Sequence, residues 1–190
     1  MVRLRNVHEI GPADGLRYSG HMVQAVRRHP HLAHEAPDDA EAYVSRWQAY
    51  RRLRTAKRVA HQGYVREHLI VDNGQAIGKA DAWPQLFPNN ESSALIGERP
   101  IRLAYWHQWP SQSGAEDIGH HAMTDLMHVA TAPPLKADSL WLVALPEDAA
   151  KVAVLRGLGF LSQGPPQSYE IGDAVTVPRQ LWVRHDTHYM

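Results

Sequence analysis

The sequence predicts an α/β protein whose central mixed β-sheet is flanked by helices. Short β-rich segments alternate with segments of helical periodicity along its 190 residues. A strand over 101–109, a helix over 117–130 and a strand over 139–146 have the order of a parallel crossover unit. Because no linker or internal repeat interrupts this pattern, we expect residues 1–190 to form a single domain.

The first half of the chain predicts a strand, two helices and a hairpin. Alternating apolar residues predict a strand over 2–10, and apolar residues at helical spacing predict a helix over 13–29. After a loop over 29–37, the segment 37–58 predicts one long amphipathic helix, with Tyr43 and Trp47 in its apolar stripe. The basic residues at its end complement the helix dipole, and a nucleic-acid patch is the alternative. Asn73-Gly74 joins two β-rich runs and favours a type I′ hairpin turn.

The second half is predicted to continue the sheet. Its apolar runs and turn residues predict, after the hairpin, the crossover unit, a short helix in 147–160 that ends at Gly157 or Gly159, and two closing strands over 168–173 and 179–184. The strand over 139–146 is apolar on both faces, as in a buried strand.

Composition and charge exclude several classes of function. The chain has no cysteine, which excludes disulfides, thiolate metal sites and a thiol nucleophile. The formal net charge is zero and the pI is about 7.3, so we expect neither a nucleic-acid nor a membrane partner. No apolar run approaches the length of about 20 residues that a membrane span needs. No secretory signal is visible at the start, so we expect a cytoplasmic protein.

The stretch GAEDIGHHAMTDLM, residues 114–127, raises the question of a metal site. Asp117, His121, Asp125 and His128 follow one another at one-turn spacing, which places four ligand types on one helix face. A single straight helix rarely surrounds an ion with ligands spread over so many turns. We therefore favour a polar flank of a core helix and predict no metal site.

Two parts of the chain carry a resemblance to a known family. LWLVALPEDAAKVAVLRGLGF, residues 140–160, resembles the apolar strand, Pro-Glu turn and helix ending in Gly-Phe of the GCN5-related N-acetyltransferases. The strand over 101–109 with the following helix around Gly119 is similar to that family's acetyl-CoA-binding strand–loop–helix. The order of elements extends the resemblance over nearly the whole chain.

The resemblance implies a fold, a cofactor and a site. It implies a V-shaped split between the strands over 101–109 and 139–146, with the pantetheine of acetyl-CoA along the first strand. The pyrophosphate would lie on backbone N–H groups at the start of the next helix. The cofactor-binding residues implied are Tyr105, Trp106, His107, Gln112, Ser113, Gly114, Ile118, Gly119 and His120. The implied activity transfers an acetyl group from acetyl-CoA to a primary amine of a small molecule or peptide, and the resemblance allows a homodimer.

One histidine is a candidate catalytic residue, and three tryptophans are candidates for acceptor binding. His107 is our candidate general base, because histidine suits proton transfer at neutral pH, and the alternative is a structural role in the sheet. Trp83, Trp106 and Trp109 are candidates for the wall of an acceptor pocket, with a core role as the alternative.

The sequence also departs from the family pattern. With Gly119 as anchor, Asp117 stands where the family prefers glycine and Gly114 where it prefers glutamine or arginine. A carboxylate at Asp117 would cap the helix and repel a pyrophosphate. Leu155 stands where many members carry a tyrosine that protonates the departing thiolate, and Asp148 occupies an asparagine position. The alternative functions are a degenerate binding protein that no longer uses acetyl-CoA and a metal-dependent enzyme that uses the 117–128 face.

Overall fold

The secondary structure follows the predicted alternation of strands and helices. The computed structural model describes residues 1–29, 31–60, 66–85, 97–108, 114–168, 170–171, 174–175 and 177–185. The helices are α1 (Pro12–Arg28), α2 (Leu32–Glu35), α3 (Pro37–Ala42), α4 (Arg46–Ala60), α5 (Ala115–Thr131) and α6 (Ala149–Gly157). The strands are β1 (Val2–Asn6), β2 (Arg66–Asp72), β3 (Gln75–Pro84), β4 (Pro100–His107), β5 (Ser139–Ala144), β6 (Leu161–Gln167), β7 (Glu170–Ile171), β8 (Ala174–Val175) and β9 (Arg179–His185). None of the helices within these ranges is long and apolar enough to cross a membrane.

The main sheet has seven strands in the order β1-β2-β3-β4-β5-β9-β6. Its neighbouring strands are antiparallel, except for β4 and β5, which are parallel. The pairing of β4 with β5 covers only Pro100–Arg102 against Ser139–Trp141, and beyond these residues the two strands diverge. The predicted α/β class and the predicted split between these two strands are therefore confirmed.

Helices cover both faces of this sheet. One core contains Tyr105 of β4 together with Leu126 of α5 and Leu155 of α6. The other contains Trp106 of β4 together with residues of α1 and α4, Met22 and Leu53 among them. Because successive side chains of a strand point to opposite faces, neighbouring residues of β4 belong to different cores. The divergence of β4 from β5 therefore opens between two helical layers.

The hairpin of β2 and β3 forms as predicted. Asn73 and Gly74 both adopt positive φ, 47° and 79°, as the two central residues of a type I′ turn require. The register places Glu67 opposite Asp81 and Leu69 opposite Lys79. The two strands therefore bring three charged residues close together beneath α3 and α4.

The first strand is shorter than predicted. The strand expected over 2–10 ends at Asn6, and Val7–Glu9 form a 3-10 turn. The side chain of Asn6 accepts a hydrogen bond from the backbone N–H of His8, at 3.3 Å. This local hydrogen bond competes with continuation of the strand ladder.

The long helix predicted over 37–58 is two helices, and the loop predicted before it contains the short helix α2. The break lies between α3 and α4, where Ser45 Oγ accepts a hydrogen bond from the Gln48 N–H and starts α4. The Ser45 hydroxyl also donates to Gln48 Oε1, at 2.8 Å. The break turns Tyr43 fully into the core and leaves Trp47 66% exposed, although both belong to one predicted apolar stripe.

The end of the sheet also differs from the prediction. The outer partner of β9 is β6, which follows α6 in the chain, and the described residues of the predicted strand over 168–173 (168 and 170–171) are not part of the main sheet. Within that range, β7 pairs only with β8 in a separate two-stranded sheet. The sequence of β6, LSQGPPQ, has low strand propensity, and it is accommodated because β6 is an edge strand with an irregular register.

Candidate functional site

The divergence of β4 and β5 creates a cleft in the sheet, which we call the fork. It is lined by Leu103, Ala104 and Tyr105 of β4 and by Leu142 and Val143 of β5. Charged side chains from other elements complete the lining: Glu35, Asp39, Lys79, Asp81, Arg102, Lys151 and Arg179. The backbone edge of β4 along this cleft has no strand partner among the described residues, so it presents main-chain groups to a ligand.

The three consecutive candidates of β4 lie at the fork but on different faces. Tyr105 and His107 face α5 and α6, and their rings stack with centroids 6.4 Å apart. Trp106 faces the opposite core, is 3% exposed, and its Nε1–H donates to Asp39 Oδ2 at 2.9 Å. The indole of Trp106 is therefore a core side chain.

The imidazole of His107 is buried beside the start of α5. It is 6% exposed and lines a small cavity with Ala115 and Asp148. Burial, with the nearby charge of His29, lowers the pKa of His107 to about 4, while a hydrogen bond with the backbone of Ala115 acts in the opposite direction. His107 is thus neutral at pH 7, and its Nδ1 has no hydrogen-bond partner among the described residues.

The start of α5 differs in detail from the prediction. The helix begins at Ala115 instead of Asp117, and its N-cap is Gly114, which has a φ of 89° and provides no side-chain hydrogen bond. The expectation that Asp117 caps the helix is therefore wrong. Glu116 and Asp117 lie in the first turn with exposed side chains, where they complement the positive end of the helix.

The backbone N–H groups of α5 that have no partner within the helix lie earlier in the chain than the predicted helix start at residue 117. The N–H of Ile118 donates to the Gly114 carbonyl at 3.0 Å, so the N–H groups without an intrahelical partner are those of residues 115–117. His120 lies in the second turn with an exposed side chain. Two predicted cofactor-binding residues, Gln112 and Ser113, lie outside the described residues, as does Trp109.

Gly119 allows α5 to approach its neighbours closely. A Cβ at this position would lie 3.1 Å from Val154 Cγ2 of α6 and 3.3 Å from the hydroxyl of Tyr105. The residue is buried within the helix. Its small size is therefore explained by packing against β4 and α6.

A buried group of ionic side chains lies at the fork, on the side of α6. It was not predicted from the sequence. Lys151, 7% exposed, donates from Nζ to the carbonyl oxygen of Tyr105 at 3.0 Å and forms an ion pair with Glu35 Oε1. Glu35 Oε2 lies 3.3 Å from His29 Nε2, and the carbonyl of Glu35 accepts from Arg179. The signal in the sequence was Lys151 itself, a charged residue one turn before the core residue Leu155.

A second missed group lies beneath α3 and α4. Lys79 Nζ is 2.9 Å from Asp39, 3.0 Å from Glu67 and 2.9 Å from Asp81, and its side chain is 5% exposed. Arg52 of α4 also pairs with Glu67, at 3.2 Å. Because Asp39 also holds the indole of Trp106, this group connects α3 to β4 at the fork.

The other predicted tryptophan packs on an arginine of the fork. The guanidinium carbon of Arg102 lies 4.8 Å from the ring centroid of Trp83 and 5.3 Å from that of Trp141. Arg102 also donates to Gln85 at 2.9 Å. Burial and the nearby charge of Arg179 lower the pKa of Arg102 to about 10, so it stays cationic at neutral pH.

The family departures on α6 also have structural roles. Asp148 is the N-cap of α6, and its carboxylate accepts the N–H of Lys151 at 3.0 Å. Leu155 is fully buried in the core.

On the polar face of α5, Nδ1 of His121 lies 2.7 Å from the Asp117 carbonyl oxygen. No group of three His, Asp or Glu side chains in the described parts of the chain is arranged to hold a metal ion.

We predict that Gly78 is essential for the geometry of β4. A Cβ at Gly78 would lie 2.7 Å from the Cα of His107 and would also strike the carbonyl oxygen of Trp106. Gly78→Ala should therefore displace β4 at the fork and lower the free energy of unfolding by about 1–3 kcal/mol. Gly20→Ala is the matched control, because the nearest atom to its Cβ would be 3.9 Å away. Equal stability of both variants in urea denaturation would contradict the prediction.

Comparison with known proteins identifies the fold. No protein-family model matches the chain, and no curated protein is similar to it in sequence. RimL, a ribosomal L7/L12 α-N-protein acetyltransferase in complex with coenzyme A, aligns with a TM-score of 0.68 and 15% identity, covering 97% of this chain and 93% of RimL. A ribosomal-protein-S5-alanine acetyltransferase from Vibrio fischeri aligns with a TM-score of 0.68 and 16% identity, covering 100% and 94%.

A more distant enzyme shares the same architecture. The Microcin C7 self-immunity acetyltransferase MccE, in complex with acetyl-CoA and AMP, aligns with a TM-score of 0.65 and 11% identity, covering 90% of this chain and 88% of MccE. The chain therefore has the fold of these acetyltransferases. The acetyltransferase fold expected from the sequence resemblance is confirmed.

Proposed function

We propose that this protein is an N-acetyltransferase that transfers the acetyl group of acetyl-CoA to an amine. The observation that carries the proposal is the fork between β4 and β5, set within a fold shared with RimL and MccE, whose structures contain coenzyme A or acetyl-CoA. Fold alone does not determine function, so the site must supply the rest. We also propose a cytoplasmic location and a single domain over residues 1–190, as expected from the sequence.

The residues of the fork fit a pantetheine-bearing ligand. Among the described residues, no strand pairs with the fork side of β4 along Leu103–His107, and the Tyr105 carbonyl there accepts a hydrogen bond from Lys151. The backbone N–H groups of residues 115–117 would hold the pyrophosphate at the positive end of α5. Glu116 and Asp117 oppose this binding by charge, but both carboxylates are exposed, so screening weakens their repulsion.

We propose His107 as the base that accepts the proton of the acceptor amine. Its neutral imidazole lies beside the fork, and Nδ1 has no hydrogen-bond partner among the described residues. Bound acetyl-CoA would supply the activated acetyl thioester. His107→Ala should lower kcat about 100-fold and leave the Kd of coenzyme A unchanged. The control is His128→Ala, on the exposed far end of α5. An unchanged kcat in His107→Ala would remove His107 from the mechanism.

For the acceptor, we propose the amino terminus of a peptide over a small-molecule amine. RimL and the Vibrio fischeri enzyme act on ribosomal proteins, which supports a peptide acceptor. The test is release of free coenzyme A thiol from acetyl-CoA with a panel of amino-terminal peptides and small amines, and mass spectrometry of the products. Acetylation of a peptide amino terminus supports the proposal. If acetyl-CoA binds but the acetyl group is transferred only to small amines, the peptide acceptor is wrong and only the proposed N-acetyltransferase activity stands.

A further inference from the structure

Lys151 is buried at the meeting point of two cavities. One cavity contains His107, His29 and Asp148, and the other extends along the fork toward Asp81 and Arg102. Both are lined by Lys151, Glu35, Tyr105 and Trp106. The Lys151 ammonium therefore lies between His107 and the fork.

Acyl transfer from a thioester requires a proton donor as well as a base. The released thiolate belongs to an alkyl thiol, whose pKa lies above 7 as that of a cysteine does (about 8.5), so it is most readily released with a proton at neutral pH. Leu155, which faces the core, has no proton to give. Lys151 lies one turn before it on the same helix face, and its Nζ reaches the backbone of β4.

The other donors around the two cavities are poorly suited to this role. Lys79 is held by three carboxylates, and His107 is already neutral at pH 7. The Tyr105 hydroxyl lies beneath α5, near the Cα of Gly119, and burial raises the pKa of Tyr105. Lys151 is the ammonium that lines both cavities and contacts the unpaired edge of β4.

We propose that Lys151 is a catalytic residue that donates its Nζ proton to the sulfur released in acetyl transfer, and that Glu35 positions it. The inference rests on the proposed acetyltransferase function. The acceptor nitrogen bonds to the acetyl carbonyl carbon, the carbon–sulfur bond breaks, and its electron pair goes to sulfur. Lys151 gives that sulfur a proton and becomes a neutral amine, which solvent protonates again. The proton lost by the acceptor nitrogen goes to His107 and then to solvent, so charge and atoms balance.

The surroundings of Lys151 suit a proton donor at neutral pH. Burial, together with the charge of Arg179, lowers the pKa of Lys151 to about 7. The Glu35 carboxylate favours the ammonium and acts in the opposite direction. His29 and Asp148 are the other titratable groups near it, and Tyr105 offers its ring face 4.8 Å from Nζ. An ammonium in this pKa range gives up its proton readily to a thiolate of higher pKa.

Two substitutions separate proton donation from charge. Lys151→Met has no proton to donate, and Lys151→Arg keeps the charge but holds its proton too strongly to donate it. Both should lower kcat about 100-fold. The matched control is Lys136→Met, because Lys136 is exposed in the segment after α5. The double variant Glu35→Gln/Lys151→Met removes both buried charges and provides a folded background if Lys151→Met alone unfolds, as circular dichroism would show.

A second readout does not depend on turnover. The ultraviolet absorbance of the thiolate reports the pKa of the coenzyme A thiol when it is bound. If Lys151 lies beside the sulfur, this pKa should be lower on the wild-type protein than on Lys151→Met. A wild-type kcat in Lys151→Arg, or the same thiol pKa on wild type and on Lys151→Met, would show that Lys151 is not the proton donor. Neither result would contradict the proposed acetyltransferase function. Absence of coenzyme A binding by the wild-type protein would overturn the proposed function itself.

Discussion

Replacement of Lys79 by methionine is expected to lower the free energy of unfolding by about 3–5 kcal/mol. The Lys79 ammonium is the common partner of Asp39, Glu67 and Asp81, which it contacts at 2.9–3.0 Å while almost fully buried. Without it, the three carboxylates face one another, and only Arg52 still offsets Glu67. Removal of one partner from a buried ionic group costs more than the group contributes when intact, because the remaining charges are left desolvated.

Asp81→Asn is the matched comparison for this experiment. Burial raises the pKa of Asp81 to about 7, and Glu67 and Asp39 add to the shift while Lys79 opposes it. The ionised form of Asp81 is therefore only weakly favoured in the folded protein, and its loss should change the free energy of unfolding by about 1 kcal/mol or less. Urea denaturation at pH 7 gives both values. A smaller loss for Lys79→Met than for Asp81→Asn would contradict our description of this group.

Acidification from pH 6.5 to 4 is expected to destabilise the fold through three buried histidines. Burial lowers the pKa of His29, of His68 and of His107 from 6.5 to about 4, so each binds fewer protons in the folded than in the unfolded chain over this range. The free energy of unfolding therefore falls as the pH falls, by about 3 kcal/mol for each histidine once the pH is below both values. Together these losses approach the whole stability of a typical domain.

The measurement is urea denaturation at a series of pH values in the Asp81→Asn background. This background is needed because the raised pKa of Asp81 gives stability that is present at low pH and lost as the pH rises through about 7, the reverse dependence. Replacing His29, His68 and His107 by glutamine should flatten the decline, whereas His128→Gln should not, because His128 is exposed. If the free energy of unfolding still declines with falling pH in the triple histidine variant, other groups cause the decline.

Local patterns in the sequence predicted the elements that create the fork. The crossover from 101–109 to 139–146 and the Asn73-Gly74 turn were predictable because each depends on short-range periodicity or on one turn conformation. The break of the helix at Tyr43–Ser45 was not recognised, although Ser45 is a residue type that caps helices and its hydroxyl accepts the Gln48 N–H. The prediction of one helix followed the apolar stripe and missed the local cap. In the structure the helix breaks there, and Tyr43 is buried in the core.

The ionic groups of the site could be predicted only in part. Glu67, Lys79 and Asp81 are charged residues on one face of an apolar hairpin, and the Asn73-Gly74 register brings them together. Asp39, which completes the group, comes from a helix whose docking no local pattern specifies. The same holds for Lys151 and Glu35, which are far apart in the chain and meet only because α2 and α6 both reach the fork. Long-range pairs of this kind require the tertiary structure.

The most direct test of our account is whether acetyl-CoA binds the protein at all, measured by its effect on Tm. A ligand present at 100 times its Kd stabilises the fold by about 2.7 kcal/mol. For a chain of this size, that corresponds to a rise in Tm of about 5–10 °C. We predict such a rise with acetyl-CoA and with coenzyme A, and a smaller one with Gly78→Ala, in which β4 is displaced. An unchanged Tm at millimolar acetyl-CoA would contradict the acetyltransferase proposal and favour a binding protein that has kept only the fold.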